Sequence, residues 1–111
     1  MARPNFIELP AGDIAAAKAF YTRAFGWNLT AFGPTYACTM TGDVDIGLQG
    51  DPTEASGAPL PVIAVDDLEA VLQAVIAAGA DIVRPTFSFP GGRRFQFRDP
   101  NGNELAVMQA D

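Results

Sequence analysis

The chain repeats itself. Asp13 precedes Asp67 by 54 residues, as Ile14 precedes Leu68, Ala17 precedes Val71 and Tyr21 precedes Val75, while Gly26 precedes Gly79 by 53. In each half the Asp suits a helix N-cap, the apolar residues fall in one stripe at helical spacing, and the Gly suits the C-terminal stop. The first half reads as a strand at Phe6–Pro10, a helix from Ile14 to about Phe25, and short strands at Trp27–Thr30, Tyr36–Met40 and Val44–Leu48. Residues 50–59, rich in Gly, Pro and Ser, are the one linker-like stretch. Beyond it the order restarts with a strand at Leu60–Val65 and a helix from Leu68 to about Ala78. Strands at Asp81–Arg84, near Thr86–Phe89, at Arg93–Arg98 and at Asn103–Gln109 complete it. One unit of this kind cannot hide its sheet alone, so the repeat predicts that two are combined. The expected fold is α+β: two βαβββ repeats, at about 4–49 and 60–109, in a single domain over residues 1–111. They form a curved eight-stranded mixed sheet around a groove, with the helices on its convex face.

The clearest local signal is the last strand pair. Asp99, Pro100 and Gly102 occupy the first, second and fourth positions of a type I turn, and polar residues alternate with apolar ones on either side. Arg94, Gln96 and Arg98 share one face, and Arg93, Phe95 and Phe97 the other. Alternation does not say which face meets the helices and which the groove. Arg93, Arg94 and Arg98 are three of only seven basic residues. They form either a solvated strand face that discourages edge pairing or a local patch for an anionic ligand. Trp27, Tyr36, Phe87 and Phe89 lie near strand starts or loop ends, where they serve packing, burial between two copies, or stacking on a planar ligand.

Composition excludes several functions. There is no histidine, so Ser-His-Asp triads, His bases and His-containing metal sites are ruled out. The lone Cys38 has no internal disulfide partner and no His to activate it, and reads as a small core residue. A net charge of −6 argues against nucleic-acid binding, which rests on neutralising phosphates with Lys and Arg. No apolar run reaches the ~18 residues of a membrane span and the N-terminus does not read as a leader. A cytoplasmic protein without membrane or nucleic-acid partners is expected.

These features together resemble the vicinal oxygen chelate superfamily of glyoxalase I, bleomycin-resistance proteins and extradiol dioxygenases. The likeness rests on the two strand–helix repeats, on Ala-Phe-Tyr through Phe-Gly-Trp (Ala19 to Trp27), on Val65-Asp66-Asp67-Leu68, and on Arg98-Asp99-Pro100-Asn101-Gly102-Asn103. It covers essentially the whole chain. It implies a groove in which catalytic members hold one divalent metal through His or Gln on the first strand, His on the first strand of the second half, Glu on the last strand and, in some enzymes, a further Glu in the first half. Spacing transfers the first three positions to Phe6, Leu60 and Ala106. The fourth falls near Ile46, or on Gln49 with a register slip.

Phe, Leu and Ala have no lone pair to offer a cation, and Glu8 and Glu104 alone are too few for one. The resemblance therefore implies neither a metal nor another cofactor here, but a metal-free small-molecule-binding protein like the antibiotic-sequestering members, working as a homodimer. The expected groove residues are Phe6, Glu8, Leu60, Val62, Glu104, Ala106 and Met108, suited to a planar, apolar or anionic ligand. Ile7, Leu9, Pro61, Ile63, Leu105 and Val107 would pack against the helices. Glu8 and Glu104 are the candidate catalytic residues if the chain is instead a metal-independent lyase or isomerase, since neighbouring carboxylates separate each other's pKa values. They sit at the solvated rim if it is not. A non-catalytic interaction module, with the groove filled or covered by a partner, is the third reading.

Overall fold

The computed structural model describes residues 2–111. Its elements follow in the order β1 (Arg3–Pro10), α1 (Ile14–Phe25), β2 (Thr30–Ala31), β3 (Tyr36–Cys38), β4 (Asp45–Gln49), β5 (Leu60–Ala64), α2 (Leu68–Ala77), β6 (Asp81–Phe89), β7 (Gly92–Arg98) and β8 (Glu104–Ala110). The class is α+β with an eight-stranded mixed sheet and two helices, and each half runs strand, helix, three strands. Two compact units divide the chain: Phe6–Leu60, and Pro61–Asp111 together with residues 2–5.

In the unit Phe6–Leu60, β1 pairs with β4 in parallel, β4 with β3 and β3 with β2 antiparallel. The Asp13 carboxylate accepts from the Ala16 amide, satisfying one of the donors a helix start leaves open, and α1 lies against β4. At the other end Gly26 takes φ 69, where a side chain would be strained, and its amide donates to the Thr22 carbonyl. Leu48 and Ala37 are fully buried between sheet and helix, yet Ile7 is 36% exposed and α1 contains no buried residue. The expected helix-facing stripe is thus only half covered within this unit.

The unit of Pro61–Asp111 repeats the topology: β5 with β8 in parallel, β8 with β7 and β7 with β6 antiparallel. Its helix is better buried. Leu68, Phe95 and Val107 are at most 1% exposed and, with Val65, form a core onto which Ile63, Val71, Leu72, Val75, Ile82 and Phe97 pack. This answers the question alternation left open: the Phe95 and Phe97 face of β7 meets α2. Asp67 caps the Ala70 amide, and the Gln109 carboxamide on β8 accepts from the Leu68 amide at 2.8 Å, so the sheet itself holds the helix start.

The structure corrects several boundaries. The strand expected at Trp27–Thr30 is the two-residue β2, because Trp27 is drawn instead into ring contacts with α1. The two expected strands at Asp81–Arg84 and Thr86–Phe89 are one, β6, which shifts register on either side of Arg84, the second shift spanning Pro85. Arg3, Pro4 and Asn5, before the expected start at Phe6, already belong to β1.

One turn has a measurable pH signature. Between β3 and β4, the Asp45 carboxylate accepts from the Thr39 and Thr41 hydroxyls and from the Thr41 and Gly42 amides at 2.7–3.1 Å. Partial burial alone would raise its pKa, but these hydrogen bonds outweigh it and hold the carboxyl below the usual range. A carboxyl depressed in the folded state contributes stability that is present above its unfolded pKa, about 3.9, and lost as pH falls through the folded value. Thermal melts from pH 7 downward will therefore fall less steeply below about pH 4 in Asp45→Asn than in the wild type, and the variant will be about 1 kcal/mol less stable at pH 7. Parallel acid limbs would contradict this.

Candidate functional site

Strand alternation puts Phe6 and Glu8 of β1, Tyr36 and Cys38 of β3, and Gly47 of β4 on one face of the unit Phe6–Leu60, with Glu8 and Cys38 both opposite Gly47 in the ladders. Glu8 is 4% exposed, and the Tyr36 hydroxyl donates to its Oε2 at 3.0 Å. A buried carboxylate needs such donors, because desolvating it without them is costly. Neither rim exposure nor a free carboxyl describes Glu8. Across β4 on the same face, the Cys38 thiol has its pKa pushed up by burial first and then by the Asp45 charge, which disfavours the thiolate.

The close approach at Gly47 makes this face possible. A Cβ placed there would collide with the Tyr36 hydroxyl and lie 2.6 Å from two atoms of the Phe6 ring. The ring and the phenol occupy the space a side chain would fill. The ladders also correct the register of the fourth would-be metal position. Val62 pairs with Ala106 in the second half and its repeat equivalent Glu8 pairs with Gly47 in the first, so the counterpart of Ala106 is Gly47 and not Ile46. Ile46 points to the opposite face, and Gln49 lies two residues along on the Gly47 face. The slip arises because the first half is one residue longer between its turn glycine and the paired position, five residues from Gly42 to Gly47 against four from Gly102 to Ala106.

In the other unit, Val62 and Ala106 are paired and buried, Ala64 pairs with Met108, and Glu104 pairs with Arg98. Leu60, at the end of the first unit, is 1% exposed. Glu104 accepts from Gln96 Nε2 at 2.6 Å, and Gln96 is itself 3% exposed. The contact orients the carboxamide: Nε2 must face the carboxylate, since Oε1 would repel it. Gln96 Oε1 then stands buried with no protein partner among the described residues. The three arginines do not make one patch. Arg93 turns to the helix side and pairs with Glu69 of α2 at 3.2 Å, whereas Arg94 faces the other way, over the rings of Phe87 and Phe89. Arg84 of β6 stacks on Phe87 with its guanidinium 3.7 Å from the ring centre. The cationic cluster is therefore Arg84 and Arg94 around Phe87.

The sequence pattern named Glu8 and Glu104 but not their donors. Tyr36 and Gln96 come from neighbouring strands, and only the register brings them into reach. Gly47 carried no signal, since a glycine in a short strand reads as a weak strand former. Among the described residues, no three of His, Cys, Asp or Glu converge as a cation site would require. Of the transferred positions, Phe6, Leu60, Ala106 and Gly47 have no side-chain oxygen, nitrogen or sulfur, and the alternative fourth position, Gln49, has its Oε1 accepting from the Asp51 amide at 3.0 Å. The residues present do not fit a chelated metal.

Gly47→Ala tests the geometry of this half. It is expected to displace Tyr36 from Glu8 and to cost roughly 1–3 kcal/mol in urea unfolding, as overpacking does, with Tyr36→Phe losing a similar amount through the weakened Glu8 shell. An alanine variant as stable as the wild type would contradict the close contact.

The profile described as the Glyoxalase/Bleomycin resistance protein/Dioxygenase superfamily matches residues 3–107. CFP32 of Mycobacterium tuberculosis is 32% identical over 97% of this chain and 46% of its own length. The anthracycline biosynthesis protein DauV of Streptomyces is 27% identical over 96% of this chain and 46% of its own. The chain thus spans about half the length of these relatives. Among solved structures, the hypothetical protein BH1468 of Bacillus halodurans superposes with a TM-score of 0.81 over 99% of this chain and 95% of its own, at 16% identity, a likeness of fold. The chain belongs to the glyoxalase, bleomycin-resistance protein and dioxygenase superfamily.

Proposed function

We propose that this member of the superfamily binds a small planar organic ligand without a metal. The observation that carries the reading is the chemistry at the transferred metal positions: hydrocarbon at Phe6, Leu60 and Ala106, and at Gly47 no room for any side chain. Each half nonetheless keeps one carboxylate held by a neutral donor, Glu8 by Tyr36 and Glu104 by Gln96. Such pairs are fixed hydrogen-bonding points rather than free bases, and suit orientation of a ligand more than proton abstraction. Half-buried Met108 supplies apolar surface on the Glu104 face of β8, over the buried Val62–Ala106 pair, and the Phe87 ring with its two guanidiniums favours a planar group that carries electron-rich or anionic substituents. The Streptomyces relative named for anthracycline biosynthesis, a polycyclic planar class, agrees with that ligand chemistry.

Thermal melts against a panel of planar polycyclic quinones and aromatic carboxylates test the reading. A ligand that binds only the folded chain raises the melting temperature by mass action. At least one panel member is expected to do so equally with and without EDTA, and Glu104→Gln is expected to weaken it about tenfold or more, by loss of a charge-assisted hydrogen bond. A shift abolished by EDTA, or turnover of a bound compound that Glu104→Gln removes, would overturn it in favour of an enzyme.

A further inference from the structure

The carboxamide of Gln96 is only half used by the contacts described so far. The residue is 3% exposed, and its Nε2 is held by the Glu104 carboxylate at 2.6 Å. Its Oε1 is shut away from solvent and has no partner among the described residues. Buried acceptors in folded proteins are nearly always paired, because an unpaired one has lost its water without replacement. Rotation of the carboxamide offers no remedy, since it would set Oε1 against the carboxylate. The surroundings are one strand face of the unit Pro61–Asp111. In the ladders Gln96 stands between Ala106 of β8 and Arg84 of β6, and the neighbouring Arg94 stands between Met108 and Phe87. The buried Val62–Ala106 pair leaves the floor apolar, where a hydrogen bond is stronger than in water. The corresponding place in the unit Phe6–Leu60, opposite Gly47, is Cys38, whose sulfur is a weak acceptor. The spare acceptor therefore belongs to one half alone.

We infer that Gln96 determines specificity: its Oε1 accepts a hydrogen bond from an O–H or N–H group on the edge of the planar ligand, so the chain selects phenols and arylamines over counterparts without a donor at that edge. The inference rests on the ligand reading above and narrows it. The Glu104 contact is what makes the carboxamide a selector. With Nε2 held, the group does not flip to suit a ligand acceptor, and a ligand without a donor leaves Oε1 buried and unpaired. Because Oε1 is closed to solvent, a ligand reaches it through a side-chain shift. Arg84, directly opposite in the ladder, is a long, half-buried side chain with many rotamers, the kind that moves when a ligand enters.

Titrations with matched pairs of similar size are the test: hydroxynaphthoate against fluoronaphthoate, and aminoanthraquinone against methylanthraquinone. Within each pair the donor is lost while the shape is kept. The wild-type chain is expected to bind the donor compound of at least one pair about tenfold or more tightly, as leaving a buried acceptor unpaired implies. Gln96→Met, close in shape but without an acceptor, is expected to lose that preference. Equal binding within every pair that binds, which a water molecule as the sole partner of Oε1 would give, overturns the inference and leaves the ligand reading standing. A preference that survives in folded Gln96→Met also overturns it. If no compound of either pair or of the wider panel binds, the ligand reading falls and the inference with it. Should Gln96→Met not fold, the carboxamide carbon resonance of Gln96 in the wild-type chain decides. Movement with the donor compound alone supports the contact, and a resonance that ignores the donor overturns it.

Discussion

The contact on which the proposed site turns is the approach of Phe6 and Tyr36 to the bare backbone of Gly47. A strand without a side chain at that point lets an aromatic ring and a phenol lie flat against it. The phenol can then reach Glu8, and a carboxylate that would otherwise be stranded in a buried position is held by a strong donor. Polar chemistry in this half of the chain is set by packing. Enlarging Gly47, trimming Phe6 or removing the Tyr36 hydroxyl each disturbs the same three-way fit.

The two halves solve one problem with different residues. Both have the same strand order and the same Asp-capped helix, as a duplicated unit should. In one, the fixed carboxylate is Glu8 on the first strand, held by Tyr36 from β3. In the other it is Glu104 on the last strand, held by Gln96 from β7. The halves also differ in burial. The helix of the second presses Leu68 into Phe95 and Val107, whereas that of the first leaves Phe20 and Phe25 exposed.

Helix ends, the order of elements along the chain and the family were legible in the sequence because each has a local cause. Asp13 and Asp67 cap the helices they announce, the α1 limits agree at both ends, and the Asp99-Pro100-Asn101-Gly102 turn closes with the Gly102 amide donating to the Asp99 carbonyl. What was not legible depended on register between strands. Equivalence of Gly47 with Ala106 needs the ladder, since turn-to-strand distance differs by one residue between the halves. The split of Arg93 from Arg94 was implicit in alternation, but which side met α2 required the core. Pro85 within β6 suggested two strands where register shifts allow one.

The central proposal is that no cation is held at the positions the family resemblance implies for one, because three of them carry hydrocarbon and Gly47 has no room for a side chain. Isothermal titration of the demetallated chain with zinc and with manganese measures this most directly. The account predicts no stoichiometric binding of either ion. One equivalent bound tightly, and lost in Glu8→Gln or Glu104→Gln, would contradict it.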